Sequence, residues 1–392
     1  TSSFFMFGGT QDAYSVYTLG DTWIYSSPSN KWTNITCASQ GCSPLPRRSH
    51  SAAYVTDRNA VFVYGGYTFN LSSAELPPVF YGDLHEFSLN SNTWTAIVPL
   101  GEVPAPRADA ALAYDPVRDR LILFGGVTYS EDGSQPWQYL NDSWQFDLDA
   151  LKWSKISAGG VSMPQLQNNQ AVYVSGPQAV FLYGGTLNCD EDIRRSFLGT
   201  VCISDKLFRF DCATNSWSQM ETTGDILPPL QGFVADNISS YQFFLHGGCS
   251  NYSRNEDEEL YCTESQPDVF IFDTTTYVWT RVSAEGGPLL WYHGGGFTAD
   301  SKIVLFGGIA GPTVYLNNFV WNFEFTNSES NWAKSGVIAA WLILGAVVIW
   351  TFLPNYLFKL WDSLKPKEEN PETEPILIIT EPVEDSQPNS AT

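Results

Sequence analysis

The sequence predicts an all-β fold made of six copies of a four-stranded unit, followed by one apolar helix and an acidic tail. Three observations carry this. A pair of glycines closes an apolar run six times, at Phe7-Gly8-Gly9, Tyr64-Gly65-Gly66, Phe124-Gly125-Gly126, Tyr183-Gly184-Gly185, His246-Gly247-Gly248 and Phe306-Gly307-Gly308. The first glycines lie 57, 60, 59, 63 and 60 residues apart, and self-similarity at a fixed period marks a repeat architecture. Gly336 to Phe358 is a run of 23 residues without a charge.

Composition agrees. A chain of 392 residues that is 43% apolar and 16% charged can bury a large core, which excludes disorder and coiled coil. Its 42 acidic and 20 basic residues give a net charge of −22, which repels phosphate backbones and excludes nucleic-acid binding. Aromatic residues at 15%, with 31 Gly and 23 Pro, call for short strands and tight turns.

After each glycine pair comes an aromatic residue and, seven positions later, a Trp: Tyr25/Trp32, Phe87/Trp94, Phe146/Trp153, Phe210/Trp217, Phe272/Trp279 and Phe325/Trp332. An Asp precedes the aromatic at Asp21, Asp83, Asp142, Asp205 and Asp268. Alternating apolar residues between turn residues make each unit four strands, in the third unit Arg107 to Tyr114, Arg120 to Gly126, Asp142 to Asp147 and Lys152 to Ile156. These glycine pairs and aromatic–Trp spacings resemble the kelch family, and the resemblance covers almost all of residues 4 to 325. It implies a six-bladed β-propeller over residues 1–332, one repeat to a blade. The Pro-x-Arg-type strand start of that family stands at Pro46-Arg47 and Pro106-Arg107 and is lost after Pro164, Pro229 and Pro288. We assign the glycines to close strand passage and the Trp residues to packing between blades. The chain enters in the second strand of blade one, so the first blade's inner strand and the sixth blade's outer strand are expected from an N-terminal segment behind a signal peptide.

Residues 333–358 read as a juxtamembrane segment and one transmembrane helix, since 23 residues at about 1.5 Å each cross a bilayer core of roughly 30 Å. Lys359, Lys365 and Lys367 follow the helix and Lys334 alone precedes it, which places residues 359–392 in the cytoplasm as a disordered acidic tail. The propeller is then extracellular or lumenal, in a single-pass type I membrane glycoprotein. Cysteine spacing agrees, with disulfides expected for Cys37/Cys42, Cys189/Cys202 and Cys249/Cys262 and with Cys212 left over. So do the sequons at Asn34, Asn70, Asn141, Asn237 and Asn251.

Function is sought on the long second-to-third connections, at roughly residues 67–82, 127–140, 186–204 and 249–267, because long loops on a rigid scaffold carry binding. Their counterparts in blades one and six are short. Two of the long ones are acidic, with Asp190, Glu191 and Asp192 in one and Glu256, Asp257, Glu258 and Glu259 in the other, as possible contacts for a partner. No hydrolase, metalloprotease, phosphate-loop or dinucleotide motif is present. Of the four histidines, His50 and His293 fall on inner strands, where core or pore lining is the expected role; the others are His85 and His246. The reading is a non-enzymatic, cofactor-free and metal-free propeller that binds a protein or glycan as receptor, adhesion molecule or accessory subunit of a membrane complex. The alternative is a membrane-anchored propeller enzyme, copper oxidase-like or glycan-active. The long-loop face is expected to point away from the membrane.

Overall fold

The computed structural model describes residues 3–10, 17–36, 42–69, 77–129, 137–187, 202–254, 260–283, 287–299, 301–310, 315–316, 320–324 and 378–383. Six antiparallel sheets form the blades. In blade three Ala111–Asp115, Arg120–Phe124, Ser143–Asp147 and Lys152–Lys155 run from the axis outward in that order. The inner strands of blades two to six are Ser51–Val55, Ala111–Asp115, Gln170–Val174, Gln231–Asn237 and Gly294–Phe297, and each lies beside the next around the axis. Blade one contributes Ser3–Phe7, Thr22–Ser26 and Lys31–Asn34.

Tryptophan joins the blades as expected. Each outer-strand Trp packs across the blade boundary on the aromatic residue ahead of the previous blade's glycine pair. Trp94 meets Phe7 at 4.9 Å, Trp153 meets Tyr64 at 5.3 Å, Trp217 meets Phe124 at 4.7 Å and Trp279 meets Tyr183 at 5.7 Å. Trp32 of blade one meets Phe306 of blade six at 5.2 Å, and this contact closes the ring. Trp332 lies outside the described residues.

The glycine pairs have a steric cause. Both members take positive φ in every blade, for example +56° and +91° at Gly125 and Gly126. A Cβ on the first glycine of blades one to five would lie 2.2 to 2.7 Å from a backbone carbonyl of the next blade: Arg47, Arg107, Leu166, Leu230 and Leu290 in turn. A Cβ on the second glycine of blades two to five would lie 2.6 to 3.0 Å from the carbonyl of Arg48, Ala108, Gln167 or Gln231 in its own blade. Only a residue without a side chain fits both the backbone angle and the gap.

Arginine adds a second tie in blades two and three. Arg107 is fixed to blade two by its backbone, through Tyr81 and Gly66, and to blade three by its side chain. Its guanidinium forks onto Asp142 at 2.6 and 3.0 Å and reaches the Gly125 carbonyl at 2.9 Å. Arg47 repeats this on Asp83 and Gly65. Burial works against charge on these carboxyls, but the arginine bonds outweigh it and hold both below the ordinary range. In blades four to six Leu166, Leu230 and Leu290 occupy the arginine position and are buried.

The connectors between blades protect outer edges. Leu100–Gly101, Gly159–Gly160 and Thr223–Gly224 each add a parallel two-residue strand outside the Trp strand of the next blade. Blade six differs from expectation, because Ile378–Val383 pairs antiparallel with its third strand Val320–Glu324. A β-branched segment is what an open sheet edge recruits. This pairing places 378–383 on the propeller's side, and a molecule whose residues 336–358 span a bilayer cannot form it. Residues 336–358 lie outside the described residues; among those described, no helix is long and apolar enough to cross a membrane.

Two stability outcomes follow from the packing. Trp153, 1% exposed, is expected to cost about 3–5 kcal/mol when replaced by Ala, read from chemical denaturation. Asp142→Asn strands the buried Arg107 and is expected to cost about 3–5 kcal/mol, whereas the double variant Arg107→Leu/Asp142→Asn recovers most of it, as blade four manages with Leu166.

Candidate binding surface at the axial mouth

Where the sequence predicts long loops, the chain forms a second tier of β-ribbons. Beyond the glycine pair the second strand continues and folds back: Tyr67–Thr68 on Val79–Phe80, Val127–Tyr129 on Trp137–Tyr139, and Thr186–Leu187 on Cys202–Ile203. The far end of Gln242–Arg254 does the same with Leu260–Ser265. Blade six, expected to have a short connection, also pairs Ile309–Ala310 with Tyr315–Leu316. Each ribbon bonds to the segment ahead of its own inner strand, as in Arg48↔Tyr67 and Ala108↔Val127. The acidic candidates Asp190, Glu191, Asp192, Glu256, Asp257, Glu258 and Glu259 lie outside the described residues.

Beneath the ribbons the segments at the start of the inner strands are joined by a backbone ladder. The residues at this level are Ser49, Asp109, Asn168, Gly232 and Tyr292, all with φ between +52° and +66°. Asp109 N–H donates to the Ser49 carbonyl at 2.9 Å, Asn168 to Asp109 at 3.1 Å, Gly232 to Asn168 at 3.5 Å and Tyr292 to Gly232 at 2.7 Å. Asp, Asn and Gly tolerate this left-handed conformation, but for the bulky Tyr292 it costs of order 1–3 kcal/mol. Its ring lies over Gly232 and beside Trp291 at 5.1 Å, yet 45% of the residue is exposed.

Side chains from five blades gather at this level. Tyr292 of blade six is within electrostatic reach of Tyr252, Asp109, Tyr67 and Arg48. The Arg48 guanidinium stands over the Tyr67 ring at 5.7 Å, and the Gln167 amide donates to the Tyr139 hydroxyl at 3.1 Å. Burial, with Asp109 close by, raises the hydroxyls of Tyr67, Tyr139 and Tyr292, so all stay protonated. Burial also raises the Asp109 carboxyl to about 6, against a bond from Ser49 and the charge of Arg48. Ring contacts continue from here, with Tyr67 stacked on Phe80 at 5.4 Å and Phe80 edge-to-face with Trp137 at 5.8 Å. Sequence reasoning missed this constellation. The signal available was the position two residues after each strand-start Arg or Leu.

The histidines serve the interior. His50 and His293 stand just ahead of their inner strands, against the second glycine of each pair. His246 Nδ1 and His293 Nε2 are 3.3 Å apart and buried. Burial, then Arg47 for His50 and His246 for His293, lowers their affinity for protons, to about 4 for His50 and His246. His85 bonds Asp83 at 2.7 Å. Among the described residues no group of three or more His, Cys, Asp or Glu side chains could hold a metal ion. Cys249 and Cys262 are joined, Cys42 and Cys202 are also in disulfides, and Cys37 and Cys189 lie outside the described residues. Cys212 is free and buried. Asn34, Asn141, Asn237 and Asn251 are exposed, and Asn70 lies outside the described residues.

Acid affects these groups with opposite signs. The depressed histidines give stability above pH 6.5 that is lost as pH falls toward 4, while Asp109 and Asp236, both raised to about 6, bind protons more tightly when folded and offset that loss. Asp109→Asn is therefore expected to match or exceed the wild-type melting temperature at pH 7.5 and to lose stability more steeply between pH 6 and 4, read from melts across pH.

Comparison with known proteins agrees with the fold. The chain is 26% identical to "Acyl-CoA-binding domain-containing protein 5" of Arabidopsis thaliana over 62% of its length and 34% of that protein. It is 24% identical to "Rab9 effector protein with kelch motifs" of Mus musculus, over 57% of this chain and 53% of the relative. It is 22% identical to "N-(sulfonatooxy)prop-2-enimidothioate sulfolyase" of Thlaspi arvense, over 65% and 72%. The chain thus spans about a third to a half of the first two relatives. The profile of the KLHDC2/KLHL20/DRC7 Kelch-repeats domain matches residues 1–198 and 197–338, and the chain belongs to that kelch-repeat family.

Proposed function

We propose that the chain is a membrane-anchored propeller that binds a protein partner at the axial mouth on its ribbon side. The observation that carries this is Tyr292, a half-exposed tyrosine held in a costly backbone conformation where five blades meet. Strain at a convergent aromatic surface marks a position selected for contact rather than for stability. One relative is named an effector with kelch motifs, and a protein partner for this chain is in keeping with that name.

Anchoring rests on residues 336–358. Twelve Leu, Ile, Val and Phe residues in this run favour insertion by roughly 4–7 kcal/mol. The competing pairing of Ile378–Val383 has four register pairs, worth about 0.2–1 kcal/mol each, against about 1–2 kcal/mol per residue for ordering a strand. The span wins this comparison. The propeller is then extracytoplasmic, in line with its disulfides and exposed sequon asparagines, and the short tether turns the ribbon side away from the bilayer.

The test is purification of tagged full-length chain from membranes in detergent. The expected result is that alkaline carbonate fails to release it, that a C-terminal tag is on the opposite side from the propeller, and that a stoichiometric partner copurifies with wild type and Tyr277→Ala but not with Tyr292→Asn. A tag on the propeller's side, with release by carbonate, would reject the anchor; a partner retained by Tyr292→Asn would reject the surface.

A further inference from the structure

The mouth has one carboxylate among several aromatic faces, and this composition selects a ligand chemistry. The Asp109 carboxyl is bonded by Ser49 and lies within electrostatic reach of Arg48 of blade two, of the ribbon residues Tyr67 and Tyr139, and of Tyr292 of blade six. Arg48 is the one cation among these groups, and it already stands over the Tyr67 ring, so a ring face here accepts positive charge. The tyrosine hydroxyls remain uncharged, so they can accept hydrogen bonds from a cation without adding a counter-charge. The chain as a whole carries −22, a field that draws cations toward the protein.

We propose that the axial mouth seats the ammonium or guanidinium group of a Lys or Arg side chain on an extended partner segment. The Asp109 carboxylate is its counter-charge, and the rings of Tyr67, Tyr139, Tyr252 and Tyr292 are its walls. This rests on the ribbon side being the partner surface. Burial makes ionised Asp109 costly in the free protein, and an incoming cation offsets that cost, which is why the seat favours a charged side chain over a neutral one of similar length. Because the Asp109 carboxyl titrates near 6, the seat works above that pH and fails as acid protonates it.

The probes are four fluorescein-labelled peptides, Gly-Ser-Gly-X-Gly-Ser-Gly, with X as Lys, Arg, Gln or Glu, titrated by anisotropy against detergent-solubilised full-length chain in low salt. At pH 7.5 the Lys and Arg peptides are expected to bind about tenfold tighter than the Gln peptide. That gap closes at pH 5.0 and is absent in Asp109→Asn at both pH values. The melting temperature of Asp109→Asn at pH 7.5 shows that the loss is not unfolding, and Arg48→Ala is expected to tighten the Lys peptide by removing the resident cation. Tightest binding of the Glu peptide, or no difference among the four, including no binding of any, would overturn the seat. If Tyr292→Asn still abolishes copurification in that case, the partner surface stands and only the cation seat falls.

Discussion

In each blade the second strand leaves its sheet through two consecutive glycines of positive φ, and in blades two to five a Cβ on either would sit 2.2 to 3.0 Å from a backbone carbonyl. One glycine faces the next blade and the other faces its own inner strand. The same turn therefore sets the spacing between blades and launches the ribbon above them. The aromatic residue just before the pair is left pointing at the neighbour, where the Trp covers it. Interior packing, ring closure and the upper tier depend on that dipeptide.

The blades are held unequally. Blades two and three use a buried arginine fork, which is expensive to desolvate but ties two blades at one point. Blades four to six replace it with leucine and rely on apolar contact, at lower desolvation cost. In blade one Trp23 holds one oxygen of Asp21, while the other, Oδ1, is buried with no partner. Arg281 takes the place of the missing fork in blade five by bonding Asp268 from the outer strand.

Much of this was legible before the structure. Glycine pairs and aromatic–Trp spacings are local and periodic, and strand positions in blade three agree with the coordinates to within a few residues, the first of them starting later, at Ala111 instead of Arg107. The ribbons were not legible, because segments such as Tyr67–Thr68 are two residues long and pair across gaps in sequence. Nor was the mouth. Its members come from five blades, and the ladder residues Ser49, Asp109, Asn168, Gly232 and Tyr292 share a backbone angle and not a side-chain type.

The mouth is thus a consequence of scaffold geometry decorated by residues that the scaffold does not need. Gly232 fills the ladder without strain, whereas Tyr292 fills the equivalent place at a backbone cost and lays its ring over Gly232. The most direct measurement is photo-crosslinking in membranes from a benzoylphenylalanine placed at position 292 and, separately, at position 277, both exposed but on opposite faces. A discrete crosslinked protein from position 292 and none from position 277 is the predicted result. Crosslinking from position 277 alone would contradict it and move the functional surface to the short-turn face.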